Sequence, residues 1–215
     1  VYEPIHDVSV VSVLSASLLL LHSDSLGQHI WAFEVLNISN TSNRIFVPDA
    51  RPMNILRFAL PAGATDLSVE TGLAGDVFQV DLGFGIAANV PPGDHQLLYS
   101  YRFPYQGTEA SLVKSYPYGA GELKVMTLVD TGTLQSSEMV KSTGVIIGGQ
   151  EYQVLATSGI ERGKEVTVDI RELYQPSMRE KLFLASKSLP YEYAPGAGLS
   201  VIMFLLIALS IYRRF

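Results

Sequence analysis

Apolar and polar residues alternate with a period of two through much of residues 1–173. In segment 165–171 every second side chain is apolar, which places the apolar side chains on one face of an extended strand. Segment 96–103 has the same pattern, and its shared apolar face carries Leu97, Tyr99, Tyr101 and Phe103. Turn-forming residues separate such segments at intervals of about eight to twelve residues. The pattern predicts an all-β fold, an antiparallel β-sandwich built as one sandwich or as two packed sub-sandwiches.

The strand pattern recurs between turns rich in Gly, Pro, Asn, Asp and Ser. We predict strands at 8–14, 17–22, 30–38, 54–60, 77–82, 95–103, 112–116, 123–129, 138–142, 152–156 and 165–171. The apolar run 8–21 is too short to span a bilayer and is rich in Val and Ser, so we assign it to core strands. We interpret the glycines of segments 83–85 and 148–149 as hairpin turns or bulges.

The longest uncharged segment is the apolar run from Ala194 to Tyr212. As a helix it would be about 28 Å long, close to the roughly 30 Å thickness of the bilayer core. Flanking aromatic and basic side chains are typical of helices that are anchored at both membrane interfaces. We predict a transmembrane helix with a short basic tail at 194–215; a buried helix of a soluble domain is the alternative. The predicted anchor residues are Tyr191, Tyr193, Leu199, Phe204, Leu206, Tyr212, Arg213 and Arg214.

Residues 174–193 link the predicted β domain to the predicted membrane helix. Apolar residues recur at helical spacing at positions 178, 182, 185 and 189, with basic residues at other positions. This pattern predicts an amphipathic helix in the lipid interface, and an irregular linker is the alternative. The predicted interfacial residues are Met178, Arg179, Lys181, Leu182 and Lys187.

Composition sharpens this division of the chain. The whole chain is 47% hydrophobic and 17% charged, and the last 22 residues hold much of the apolar excess. Residues 1–193 contain 13 basic and 21 acidic residues, a net charge of −8, so no nucleic-acid partner is expected. The chain has no Cys, which excludes disulfides, thiolate metal sites and a cysteine nucleophile.

No set of residues points to catalysis. The four histidines lack metal-ligand spacing, although His22 and His29 flank a predicted hairpin loop and could approach each other. No nucleophile elbow is present, and the glycine-rich segments lack the helix of a phosphate site. We therefore predict no catalytic, cofactor-binding or metal site, and no enzyme. The aromatic residues that we assign to the core are Trp31, Phe33, Phe46, Tyr99 and Tyr101.

One segment suggests a family. The turn-then-strand sequence Pro91-Pro92-Gly93-Asp94-His95-Gln96-Leu97-Leu98-Tyr99-Ser100-Tyr101 resembles the entry to the central strand in bacterial fibronectin-like and carboxypeptidase-regulatory-like β-sandwich domains. The resemblance extends over about residues 45–171 and implies an extracytoplasmic bacterial protein with a C-terminal membrane anchor.

The expected function is that of a non-catalytic, single-pass accessory subunit of a larger membrane complex, respiratory, photosynthetic or transport. The domain at 1–173 would contact other subunits on the extracytoplasmic side, in the periplasm or at the cell surface, with the C-terminus in the cytoplasm. Because the chain begins at Val1 and not at Met, it looks processed: a leader removed before Val1 would explain this start, and so would a trimmed or incomplete sequence. A tail-anchored protein with a cytosolic domain is the rival. The alternative function is a membrane-tethered module that binds a carbohydrate or a lipid headgroup.

Overall fold

The computed structural model describes residues 2–22, 28–49, 54–80 and 82–180. The chain divides into two units, Val1–Gln175 and Pro176–Phe215. In the described part of the first unit the regular secondary structure is β-strand apart from one short 3₁₀ turn, which confirms the all-β prediction. In the second unit the described residues are 176–180, with a helical turn at 178–180.

Fifteen strands lie within the described residues. They are β1 (Pro4–Ile5), β2 (Val11–His22), β3 (His29–Asn40), β4 (Ile45–Phe46), β5 (Leu56–Ala59), β6 (Thr65–Thr71), β7 (Gly75–Val80), β8 (Gly83–Ala88), β9 (Gly93–Pro104), β10 (Ala110–Tyr116), β11 (Ala120–Leu128), β12 (Thr133–Gln135), β13 (Val140–Ile147), β14 (Gln150–Ile160) and β15 (Lys164–Arg171).

Seven strands form the largest sheet, in the order β13-β14-β11-β2-β3-β9-β6. Its neighbouring strands are antiparallel except β2 and β11, which run parallel with Leu18 opposite Val125. The sheet is therefore mixed, which corrects the prediction of a purely antiparallel fold. About a hundred residues separate these two strands along the chain, so no hairpin joins them and no local turn signal could reveal their pairing.

β2 is a single strand where the sequence pattern predicted two. The register against β3 shifts between Val13 and Ser15, which makes Leu14 the extra residue of a β-bulge. The bulge changes the phase of the alternation by one residue while the same face stays toward the core. The buried side chains on that face are Val11, Val13, Ala16, Leu18 and Leu20. A short 3₁₀ turn at Val8–Val10 replaces the start of the first predicted strand.

Two three-stranded sheets, β5-β8-β7 and β10-β15-β12, pack on one face of the large sheet. Phe84 of β8 lies edge-on to Tyr99 of β9 with ring centroids 4.9 Å apart, and Phe58 of β5 stacks on Phe84 at 5.1 Å. The predicted apolar face of β9 is confirmed, because Leu97, Tyr99, Tyr101 and Phe103 are all buried there.

The sequence pattern missed strands β6, β8 and β12 and the two-residue strands β1 and β4. β8 includes the glycine-rich segment 83–85, for which the sequence predicts a hairpin turn or bulge. Its Gly85 lies in close packing, since a Cβ atom there would lie 2.5 Å from Ile55 Cδ1. Glycine serves here as a small residue within a strand, where its low strand propensity hid the strand from sequence analysis. The predicted turn at Gly148-Gly149 is confirmed.

The predicted aromatic core is partly wrong. Phe46, Tyr99 and Tyr101 are buried as expected. Trp31 and Phe33 alternate with the buried residues of β3 and therefore lie on the other face of the sheet, where Phe33 is 38% exposed. Their rings stack on each other with centroids 6.2 Å apart.

Candidate functional site

The most unusual feature of the core is a group of ionisable side chains, the lysine cluster, made of Glu34, Tyr99, Tyr101, Lys114 and Tyr116. Each of these residues occupies an inward position of its strand, and all are buried. Glu34 lies on β3 directly opposite Tyr99 of β9, and Lys114 projects from β10 on the facing sheet. The alternation of the three strands thus places an acid, a base and three phenols in the apolar space between sheets.

Lys114 is the centre of the cluster. Its ammonium group forms an ion pair with Glu34, whose side chain is 0% exposed against 5% for Lys114. It donates hydrogen bonds to the Tyr99 hydroxyl at 2.7 Å and to the Ala59 carbonyl at 3.2 Å. It also lies 4.8 Å from the centroid of the Tyr99 ring, within cation–π distance. Since Ala59 belongs to β5, one side chain on β10 joins the large sheet and both three-stranded sheets.

Burial dominates the electrostatics of the cluster. Removal from water lowers the pKa of the Lys114 ammonium, and the Glu34 carboxylate offsets part of that effect. Burial raises the pKa of Tyr99, Tyr101 and Tyr116 well above its ordinary value, and the negative charge of Glu34 raises it further. The phenols are therefore neutral at physiological pH.

The cluster has no room for a substrate. The cavity beside Glu34, Tyr99, Lys114 and Tyr118 has a volume of about 10 Å³, enough for one water molecule at most. A buried lysine of lowered pKa is often a candidate for catalysis, but the cavity beside Lys114 is too small to admit a reactant. The arrangement supports a structural role, in which the ion pair and its hydrogen bonds fix how the three sheets pack.

Sequence analysis did not find this cluster, although a signal was present. Glu34 interrupts an otherwise apolar inward face of β3 between Ala32 and Leu36, and Lys114 does the same on β10 between Leu112 and Tyr116. Charged residues at inward positions of two different strands predict a buried ion pair.

The histidines have structural partners. The phenol of Tyr105 donates a hydrogen bond to the Tyr174 carbonyl at 2.7 Å and contacts His22 Nε2 at the same distance. Because that hydroxyl has one proton, His22 is the donor to it. His6 and His95 contact the carbonyls of Val47 and Pro91, each at 2.8 Å. Among the described residues, no group of three or more His, Asp or Glu side chains is placed to hold a metal ion.

Exposed apolar side chains mark one edge strand. Every residue of β7 is exposed, and one side of this strand has no partner among the described residues. We call this surface, with Val77, Phe78, Val80 and the adjoining Leu82, the β7 edge. A short apolar edge strand is a surface on which another protein can dock, either side chain against side chain or by adding a strand.

The structure describes few of the predicted membrane-contacting residues. Met178 and Arg179 lie in the helical turn at 178–180, and the Met178 side chain is exposed. The other predicted interfacial and anchor residues fall outside the described part of the chain; they are Lys181, Leu182, Lys187, Tyr191, Tyr193, Leu199, Phe204, Leu206, Tyr212, Arg213 and Arg214. Over the described ranges no helix has the length and hydropathy needed to cross a membrane.

Comparison with known proteins gives no family. No protein-family model matches the chain, and no curated protein matches its sequence. An M1 zinc metallopeptidase from Deinococcus radiodurans is similar in structure, with a TM-score of 0.45 and 11% identity over 75% of this chain and 42% of the peptidase. Leukotriene A4 hydrolase from Saccharomyces cerevisiae is similar at a TM-score of 0.45 and 7% identity, over 74% of this chain and 29% of the hydrolase.

This chain thus spans less than half the length of either enzyme. At such TM-scores and identities the likeness carries no argument about the fold, chemistry or partners of this chain.

Proposed function

We propose that the chain is a non-catalytic, membrane-anchored accessory subunit whose β domain contacts other proteins of a larger membrane complex on the extracytoplasmic side. The observation that carries the proposal is the β7 edge. Four large apolar side chains are exposed on and next to one short strand, with Phe78 and Val80 on one face of it and Val77 on the other, and exposed apolar side chains grouped in this way often mark an interaction site.

The lysine cluster supports the non-catalytic part of the proposal. It contains the only ion pair among the described residues in which both side chains are buried, and the cavity of about 10 Å³ beside it is too small for a reactant. The other ion pairs of the described residues, such as Lys124 with Glu122 at 2.8 Å, are exposed and belong to the ordinary surface of a domain.

The membrane part of the proposal depends on the sequence. The uncharged run 194–212 has the length of a bilayer-spanning helix and basic residues directly after it. The resemblance to bacterial extracytoplasmic β-sandwich proteins favours placing the β domain outside the cytoplasm.

Purification of the tagged full chain from its native membrane in mild detergent tests the proposal. We expect native mass measurement to give one defined species heavier than the 23.5 kDa chain with its detergent. A chain that is extracted and migrates as a lone monomer would overturn the proposed role.

Matched variants test whether the β7 edge is the contact. Phe78→Glu places a charge on the β7 edge, whereas Val113→Glu places one on β10 at nearly the same exposure, 48% against 47%. We expect Phe78→Glu to release the partner while the chain stays folded, and Val113→Glu to retain it. Equal retention in both variants would exclude the β7 edge as the contact.

A second candidate function is binding of a carbohydrate or lipid headgroup, favoured by the stacked rings of Trp31 and Phe33 on the outer face of β3. Trp31 is the single tryptophan of the chain, so its fluorescence reports directly on this surface. A saturable change during titration with oligosaccharides or phosphocholine, abolished in Phe33→Ala, would support this function. The largely buried Tyr99, Tyr101 and Phe103 do not contribute to such a surface.

A further inference from the structure

The hairpin between β13 and β14 ends in an exposed apolar tip. We define the tip as residues 145–149, with the sequence Val145-Ile146-Ile147-Gly148-Gly149. Val145 is 42% exposed, Ile146 is 74% exposed and Ile147 is 53% exposed. Because successive side chains of a strand point to opposite faces, the β13 strand presents accessible apolar side chains on both faces at the tip, while Gln150 and Glu151 lie opposite Ile147 and Ile146 on β14. No residue of the tip is charged or carries a long polar side chain.

Strand register shows where the tip lies. β14 pairs with β11 as far as Tyr152 opposite Leu128, the last residue of β11. The N–H group of Val129 then donates to the Glu151 carbonyl at 3.1 Å, so residues 146–149 lie beyond the end of β11. In the neighbouring strand pair, Thr127 of β11 lies opposite Leu20 of β2, and β2 ends two residues later at His22. The tip therefore extends from the end of the large sheet at which His22 lies.

The first unit of the chain also ends there. The Tyr105 hydroxyl, just after β9, contacts His22 and donates a hydrogen bond to the carbonyl of Tyr174. One residue earlier, the N–H group of Leu173 donates to the carbonyl of Thr108 at 2.9 Å. The last residues of the first unit are thus fixed at the same end of the sheet as the tip.

We propose that the tip contacts the lipid bilayer when the chain is anchored in it; this inference rests on the membrane anchor of the proposed function. Eighteen residues separate Gln175 from the start of the uncharged run at Ala194. Fully extended, they would span about 60 Å, so the anchor tethers this end of the domain within reach of the membrane.

The chemistry of the tip fits lipid better than a protein partner. A docked strand or sheet covers one face of a hairpin, whereas the surrounding acyl chains and headgroups can cover both. Glycines at positions 148 and 149 have positive φ values of 60° and 83° and close the turn without polar side chains. The charged residue nearest to the tip is Glu151, which lies opposite Ile146 on the other strand of the hairpin, at the border of the tip. Apolar side chains such as these are stabilised when they are removed from water, as they would be at the boundary of headgroups and acyl chains.

A cysteine scan tests the inference without removing a native thiol, because the chain has no Cys. Ile146→Cys places a label at the tip. Val140→Cys places one on the same strand, also at 74% exposure, but six residues away from Ile146. Each full-length variant is labelled with a polarity-sensitive fluorophore and reconstituted into phosphatidylcholine vesicles with and without lipids that carry a nitroxide quencher in the acyl chain.

We expect the label at position 146 to shift to the blue and to be quenched at least twofold more than the label at position 140. Equal, water-like signals from both positions in chains that float with the vesicles would overturn the inference and leave the anchor intact. A blue shift at position 146 without quenching by the lipid nitroxide would show that protein covers the tip, and would also overturn it. Chains that fail to float with the vesicles would refute the membrane anchor itself, and the inference with it.

Discussion

The replacement of Lys114 by Met tests whether the lysine cluster holds the three sheets together. Methionine has a similar length and no branch, so the change keeps most of the volume while removing the charge and the hydrogen bonds to Tyr99 and Ala59. We expect Lys114→Met to lower the free energy of unfolding by about 3–5 kcal/mol, since Glu34 is left buried without a counterion. A domain of this size has a total stability of about 5–15 kcal/mol, so the variant is left close to unfolding.

A double-mutant cycle separates the ion pair from packing. Lys114→Met combined with Glu34→Leu removes both charges, and apolar replacement of a complete buried pair is often neutral or stabilising. We therefore expect the double variant to recover most of the lost stability, with a coupling energy of at least about 2 kcal/mol. The exposed pair of Lys124 and Glu122 supplies the control, because Lys124→Met should cost less than about 1 kcal/mol.

Urea unfolding of the full chain in mild detergent at pH 7, followed by the fluorescence of the single Trp31, measures these values. The reasoning fails if Lys114→Met costs less than about 1 kcal/mol, no more than the exposed control. It also fails if the double variant is as unstable as Lys114→Met, because the loss would then come from packing and not from an unpaired buried charge.

Three further predictions concern titration, packing and the end of the first unit. The three tyrosines of the lysine cluster have raised pKa values, so the stability that they contribute is complete below the unfolded-state value of about 10 and is lost as the pH rises above it. Because the pKa of Lys114 is lowered, this group makes stability rise with pH below about pH 10.5. One lysine titrates in this way against three tyrosines with the opposite effect, so stability should fall above about pH 10. Absorbance at 295 nm should then show these phenols ionising together with unfolding; their ionisation in a folded chain would contradict the assignment. Gly121→Ala should cost about 1–3 kcal/mol in urea unfolding, because its Cβ would lie 2.6 Å from a carbonyl oxygen of β2, whereas Gly72→Ala meets nothing within 4 Å and should be nearly neutral. Tyr105→Phe removes the hydrogen bond to Tyr174, and hydrogen–deuterium exchange should be faster near residue 174 than in the native chain while the centre of β9 stays protected.

The fold was predictable where one strand keeps one phase of alternation. β9 and β15 each bury every second side chain without interruption, and their core faces follow directly from the sequence. β2 shows why the rule fails elsewhere. The bulge at Leu14 shifts the alternation, so the sequence pattern resembles two strands although the backbone continues through both. The parallel pairing of β2 with β11 depends on contacts between distant segments, which no local pattern contains.

The candidate site was also predictable from the local sequence only in part. Alternation alone indicates that Glu34 and Lys114 point inward, because each interrupts an apolar face of its own strand. Alternation does not show that Glu34 and Lys114, which belong to two different sheets, come together beside the Ala59 carbonyl of a third sheet. The pairing becomes visible only after the sheets are stacked.

Two features of this domain, the buried ion pair and the exposed apolar side chains, are not those expected of a chain that is optimised for stability alone. A buried ion pair gives a fold less net stability than well-packed apolar residues would, and exposed isoleucine and phenylalanine side chains give it almost none. Neither feature is explained by stability alone. The ion pair is buried and links the large sheet to both three-stranded sheets, an arrangement that favours one packing of these sheets. Two groups of exposed apolar side chains lie on separate hairpins, β7–β8 in a small sheet and β13–β14 at the edge of the large sheet. Two separate apolar surfaces allow two different contacts at once, which is what an accessory subunit needs if it contacts a protein partner with one hairpin and the bilayer with the other.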